Sequence, residues 1–300
     1  HAKFEQKSLS KFELTGVGKA VLCVANGYSL EENMEKIKAN RSNVDIVCCD
    51  KALGHLISNG IKPDFCVVAD ANVNYEKYLA PYKDKMQDTI LLINVCANRE
   101  WTEGANWKDR YFYANKDVIG SEKEFCGLSG CNNVIAAGTN VSNAVVILMT
   151  QCDHSGRHNF FGYDKLLLIG YDFSWRLNGK YYAYDERAGG KSDYMCHAYL
   201  YLPTGEFAYS SGNLQFSARW FEQYVRSFNL PVVNCSKSTI LSLKTGDIEE
   251  QMRYSFKQED AATSRKIVAR IRELQDEQQK QLERLSVLSK EHWNSFLATV

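Results

Sequence analysis

The run Ala20-Val-Leu-Cys-Val-Ala-Asn-Gly-Tyr-Ser-Leu-Glu-Glu32 sets the strictest limit on what this chain can fold into. Ala20 to Ala25 are apolar without polar alternation, which suits a strand covered on both faces. Asn26-Gly27 suits a sharp turn. Ser29 can then cap a helix carrying Glu31, Glu32 and Glu35 in its first turns. A buried strand that feeds a capped helix through a small-residue turn is how open α/β sheets build a phosphate site at their carboxyl edge. The turn is neither G-x-G-x-x-G nor a P-loop, so the ligand expected here is phosphorylated but is neither NAD nor a Walker-bound ATP.

The same pattern repeats along the chain. Strand-like runs fall near 20–25, 44–49, 65–70, 89–95, 110–114 and 165–170, with a last short one in Leu230-Pro-Val-Val-Asn234. Helical patterns fall near 30–39, 51–59, 74–86, 139–152 and 214–228. Strand–helix alternation with all-apolar strands predicts an α/β fold: a Rossmann-like, mostly parallel sheet with helices on both faces. The composition shifts to Tyr, Gly, Ser and Asp over about 173–212, the mark of a lid or binding loop. From Ser264 to Phe296 there is no Gly or Pro, and Ile267, Ile271, Leu274, Leu282, Leu285 and Leu288 follow helical spacing. The domains expected are therefore 1–248, the sheet domain with its phosphate-binding edge, and 249–300, a helical extension. Gln278 and Gln281 interrupt the stripe, so the extension is either a helix packed on the core or an arm for homo-oligomerisation.

Thirty-six basic and 36 acidic residues cancel, which leaves no global field for nucleic acid. No apolar run approaches the roughly 18–20 residues of a membrane span, and no apolar leader opens the chain. The expectation is a cytoplasmic protein. Ten cysteines are scattered, several inside strand-like runs (Cys23, Cys48, Cys49, Cys66, Cys96), where thiols act as small buried hydrophobes. Cys126, Cys131, Cys152, His154 and His158 fit no common zinc spacing well.

Candidate site residues cluster at strand ends. Asp50 and Asp70 each follow an apolar strand, and in a parallel sheet they share the carboxyl edge with Asn26-Gly27. A carboxylate there can accept from ribose or base, hold a divalent ion, or simply cap the next helix. Asp172, after Leu166-Leu-Leu-Ile-Gly-Tyr, joins the same edge. Gly138-Thr139-Asn-Val-Ser142 opens the most apolar helix; its donors suit an anion, or an ordinary cap. Gly179-Lys-Tyr-Tyr-Ala-Tyr184 places Tyr182 and Tyr184 beside this polar cleft. Of six histidines, His197 alone sits in the lid, where a near-neutral imidazole can take a proton from a hydroxyl.

Three motifs in order resemble the MptE-like family, which includes motility-associated factors and archaeal hydroxymethylpterin pyrophosphokinases, with bacterial CMP-sialate-using sialyltransferases related to it. Val21-Leu-Cys-Val-Ala-Asn-Gly-Tyr-Ser-Leu30 resembles its GxGPSL opening, with Tyr28 in place of the proline. Gly60-Ile-Lys-Pro-Asp64 followed by a strand ending in Asp70 resembles its GIKPD…D motif, and Gly162-Tyr-Asp-Lys-Leu-Leu-Leu-Ile-Gly-Tyr-Asp172 resembles a third. The similarity spans roughly 18–240. The sialyltransferase branch implies His197, in Cys196-His197-Ala198, as the base for an acceptor hydroxyl. It also implies Tyr182 and Tyr184 at the leaving phosphate of a CMP-sugar, and Asn26, Gly27 and Ser29 at the nucleotide. Asp50 and Asp70 stand where that branch looks more like asparagine. The pyrophosphokinase branch carries a paired-acid cluster where this chain has Asp70-Ala-Asn-Val-Asn74.

The resemblance therefore implies a glycosyltransferase-like enzyme that moves a sugar from a nucleotide-activated donor, a CMP-linked nonulosonate, to a hydroxyl acceptor. The alternative is diphosphoryl transfer from ATP to a pterin-like alcohol, with Mg²⁺ held among Asp50, Asp70 and Asp172. A third reading is a non-catalytic nucleotide-binding assembly protein.

Overall fold

The computed structural model describes residues 7–115, 133–136, 138–150, 161–176, 183, 197–202, 205, 207–236 and 239–253. It further describes helical positions 270, 273, 277, 280, 281, 284 and 287; at 176 and 197–201 it describes the backbone alone. The elements run β1 (Ala20–Val24), α1 (Ser29–Ala39), β2 (Asp45–Cys49), α2 (Asp50–Ser58), β3 (Phe65–Val68), α3 (Tyr75–Tyr78), β4 (Ile90–Asn94), α4 (Glu100–Glu103), β5 (Asp109–Asn115) and β6 (Val134–Ile135). They continue with α5 (Val141–Thr150), β7 (Lys165–Ile169), β8 (Trp175–Arg176), β9 (His197–Tyr201), β10 (Phe207–Ser211), α6 (Gly212–Ser227), β11 (Val232–Asn234) and α7 (Ile248–Met252).

The main sheet has the order β11-β7-β1-β2-β3-β4-β5-β6, and every neighbouring pair is parallel. The α/β expectation, a mostly parallel sheet surrounded by helices, is met. β1 is buried along its whole length, as its unbroken apolar run requires. α5 is apolar all round and buried from Asn143 to Thr150, packing over β1, β2 and β3. From β1 the chain moves outward to β6, then returns to place β7 on the other side of β1. The strand order thus reverses between β1 and β7, the place where parallel sheets open a crevice at their carboxyl ends.

The expected helix near 74–86 is instead α3 followed by a 3₁₀ segment, Ala80–Lys85. Pro81 removes a backbone donor and crowds the preceding turn, so the α-helix stops. The lid region, expected as irregular, holds a small antiparallel sheet of order β8-β10-β9, with His197 opposite Ser211. Tyr182 and Tyr184 lie outside the described residues, as do Cys126, Cys131, Cys152, His154 and His158.

Two compact units are present, His1–Ser255 and Phe256–Val300. α7 belongs to the first: Asp247 accepts from the amides of Glu249 and Glu250 and lies 3.5 Å from Lys36 of α1. In the second unit the described positions are helical and exposed, among them Arg270, paired with Glu273 at 2.8 Å. The apolar positions Ile267, Ile271, Leu274, Leu282, Leu285 and Leu288 lie outside the described residues. Cys23, Cys48, Cys49, Cys66 and Cys235 are buried without disulfides, whereas Cys96, expected to be buried, lies past the end of β4 and is exposed. Among the described residues, no helix is long and apolar enough to cross a membrane.

Candidate active site

A cleft of about 510 Å³ opens at the carboxyl edge of the sheet. Its floor is the set of strand ends: Ala25, Asn26 and Gly27 after β1, Cys49, Asp50 and Lys51 after β2, and Ala69 and Asp70 after β3. Tyr113 and Asn115 of β5 line one side, and Gly170, Tyr171, Phe173 and Ser174 after β7 line the other. Residues 138–142 at the start of α5, with Leu214 of α6, complete the wall. Of the residues singled out in the sequence, Asn26, Gly27, Asp50, Asp70, Gly138, Thr139, Asn140 and Ser142 meet here.

Ser29 and Asp172 do not line this cleft; they sit behind it, each about 1% exposed. The Ser29 amide donates to Asp172 Oδ2 at 2.9 Å, so a carboxylate closes the amino end of α1. Ser29 was expected to cap α1 with its hydroxyl, but α1 has no side-chain cap and Ser29 is its first residue. Its hydroxyl accepts from the Gly170 amide at 3.0 Å and donates to Ser236 Oγ at 3.0 Å. The Gly27 amide donates to the Gly170 carbonyl at 2.9 Å. A Cβ at Gly27 would overlap both Asp172 Oδ2 and the Gly170 carbonyl oxygen, so this turn can approach β7 only as glycine.

Asp50 is 1% exposed at the first turn of α2. Burial pushes its carboxyl up to about 6; the Lys51 amide and the Lys51 charge pull it down, and neighbouring Asp70 pushes it up again. It makes no cap to the following turn; the bond it has is from the Lys51 amide to Oδ1, 2.6 Å. Asp70 accepts from the Asn72 amide at 2.8 Å. At α5, Asn140 caps the helix, accepting from the Asn143 amide at 2.9 Å and the Ser142 hydroxyl at 2.7 Å. Thr139 Oγ1 accepts from Asn143 Nδ2 at 2.9 Å. Asn26 carries a side-chain carbonyl, buried, with no hydrogen-bond partner, while its backbone carbonyl accepts from the Ala183 amide at 3.1 Å.

Lys51, Tyr113, Asn115 and Ser174 are cleft residues that sequence reasoning did not single out. Lys51 had a signal, since it directly follows Asp50 at a strand end; Tyr113 reads as one more apolar strand residue. The backbone of His197 is paired with Ser211, three residues before cleft-lining Leu214. Two of the three family motifs also have joints far from the cleft. Gly60 ends α2 at φ +77, with its amide on Ile57 and the Ile61 amide on Leu56, the left-handed terminus only glycine enters cheaply. Asp64 binds the Ile46 amide at 2.7 Å and Arg41 at 2.9 Å, and Tyr163 donates to Asp45 at 2.9 Å.

Residues 2–178, more than half of the chain, match the family described as 6-hydroxymethylpterin diphosphokinase MptE-like. No curated protein matches. Among solved structures, the MAf glycosyltransferase from Magnetospirillum magneticum AMB-1 is similar, with a TM-score of 0.57 and 17% identity. The match covers 89% of this chain and 38% of that one, so the chain spans well under half of its structural neighbour. At that identity the likeness is one of fold.

Proposed function

The chain belongs to the MptE-like family, and from that premise we propose that it is a glycosyltransferase-like enzyme using a nucleotide-activated sugar, of the CMP-linked nonulosonate type, on a hydroxyl acceptor. The observation that carries the reading is the cleft at the strand-order reversal, floored by the Asn26-Gly27 turn. The reaction proposed is direct displacement at the anomeric carbon. A bond forms from the acceptor oxygen to that carbon, the bond to the donor phosphate oxygen breaks, and CMP leaves. His197 takes the acceptor proton, and tyrosines of the lid, Tyr182 and Tyr184, serve the leaving phosphate. His197→Ala is expected to abolish both transfer and donor hydrolysis while CMP still binds; retained turnover would refute the assignment.

The donor set also bears on the alternative, diphosphoryl transfer from Mg²⁺-ATP. Of the three strand-end acids, Asp172 is committed to the Ser29 amide and burial resists the ionisation of Asp50. Among the described residues no group of three or more His, Cys, Asp or Glu is placed to hold a metal. Such a set fits Mg²⁺ poorly, since that ion wants charged oxygens in strict geometry. The family description and the pair Asp50 and Asp70 keep this second reading testable. Magnesium-dependent release of AMP from ATP in the presence of a hydroxymethylpterin would establish it in place of sugar transfer.

A further inference from the structure

A phosphorylated ligand in a parallel sheet is ordinarily met by the amino end of the helix after β1, through unpaired amides and the helix dipole. That end is closed here. The Ser29 amide is taken by the buried Asp172 carboxylate at 2.9 Å, and the Gly27 amide by the Gly170 carbonyl at 2.9 Å. The amides of Leu30 and Glu31 turn back onto Gly27 and Tyr28. Glu31 and Glu32 add acidic side chains to the same turn. An anion brought there would meet negative charge and engaged donors. At the amino end of α5, Asn140 takes the Asn143 amide and the Ser142 hydroxyl.

The described residues lining the cleft include one cationic side chain, Lys51. It stands in the first turn of α2, beside Asp50, across the β1–β2 pair from the closed end of α1. Beside it on the floor, Asp50 and Asp70 present carboxyl groups, and the buried side-chain carbonyl of Asn26 has no hydrogen-bond partner. Acceptors call for hydroxyl or amino donors on the ligand, and the cation offers the strongest, charge-assisted contact to a phosphoryl group.

We propose that Lys51 is the phosphate-recognising residue of this cleft, displacing that role from the amino end of α1. The ligand class is a nucleoside phosphate, its phosphoryl oxygens on Lys51 and its sugar or base donors on the acidic floor. This rests on the nucleotide reading above but names a different residue and can fail separately. The test is calorimetric titration of the native protein, Lys51→Gln and Lys51→Arg with CMP and with cytidine, and with ATP and adenosine. Melting temperatures of the variants serve as the folding control. Lys51→Gln is expected to weaken the phosphorylated ligand by about tenfold to a hundredfold, the scale of a lost charge-assisted hydrogen bond. Its nucleoside should bind as before, and Lys51→Arg should retain most of the affinity. If Lys51→Gln binds CMP like the native protein, or loses CMP and cytidine alike, the assignment of Lys51 is overturned while nucleotide binding stands. If ATP but not CMP binds and depends on Lys51, the CMP-sugar reading fails and Lys51 stands. A native protein that binds none of the four would overturn both.

Discussion

Asp50 is a cleft carboxylate whose ordinary behaviour is changed by burial, and stability should report it. Its folded-state value is raised from 3.8 to about 6. The stability tied to it is therefore fully present below about 3.8 and is lost as pH rises through about 6, a change worth about 3 kcal/mol. Asp50→Asn is expected to melt higher than the native protein at pH 8 and to lose that advantage at pH 4. Equal melting differences at the two pH values would show that the ionised carboxylate carries no penalty. Ser29 and Gly27 are expected to behave as joints. Ser29→Ala leaves the Gly170 amide without its acceptor, at a cost of about 1–3 kcal/mol by urea denaturation, with nucleotide affinity unchanged. A matching loss of affinity would put Ser29 back at the ligand. Gly27→Ala forces overlap with Asp172 and Gly170, so a cost at the upper end of about 1–3 kcal/mol, or failure to fold, is expected.

Elements here end for local reasons and are positioned for distant ones. α2 stops at Gly60, whose φ is +77 and around which a Cβ would meet nothing. Gly60→Ala should therefore cost about 1–2 kcal/mol from the backbone alone, a contrast with the crowding at Gly27 that denaturation midpoints can resolve. α3 gives way at Pro81, a break legible in the sequence once the missing donor is weighed against the apolar spacing. α1 illustrates the opposite case. Its start at Ser29 follows from the turn before it, but its anchor is Asp172, 143 positions away in the chain. A buried strand, a turn and a helix were legible from residues 20–32; which acceptor closed the helix was not, because a carboxylate at another strand end leaves no trace in local spacing.

At the scale of the molecule, the family match ends at residue 178, whereas the sheet does not. β11 pairs with β7 along Val232 to Asn234, and Phe221 of α6 packs on Tyr171 with ring centroids 5.7 Å apart. A chain cut after residue 178 would leave β7 as an exposed apolar edge and is expected to aggregate. A chain ending at Ser255 should melt cooperatively; a broad, non-cooperative transition for that fragment would mean the unit His1–Ser255 does not fold by itself. The amino-acid sequence alone determined the class of fold, because short apolar runs without alternation, set between helical patterns, fit strands of a sheet covered on both faces. It also determined the edge at which Asn26, Asp50 and Asp70 gather, because parallel strands bring their carboxyl ends together. Only the tertiary structure decided which of the strand-end acids face the cleft. Asp50 and Asp70 do, while Asp172 turns inward to the Ser29 amide of α1, since that choice depends on hydrogen bonds between segments far apart in the chain.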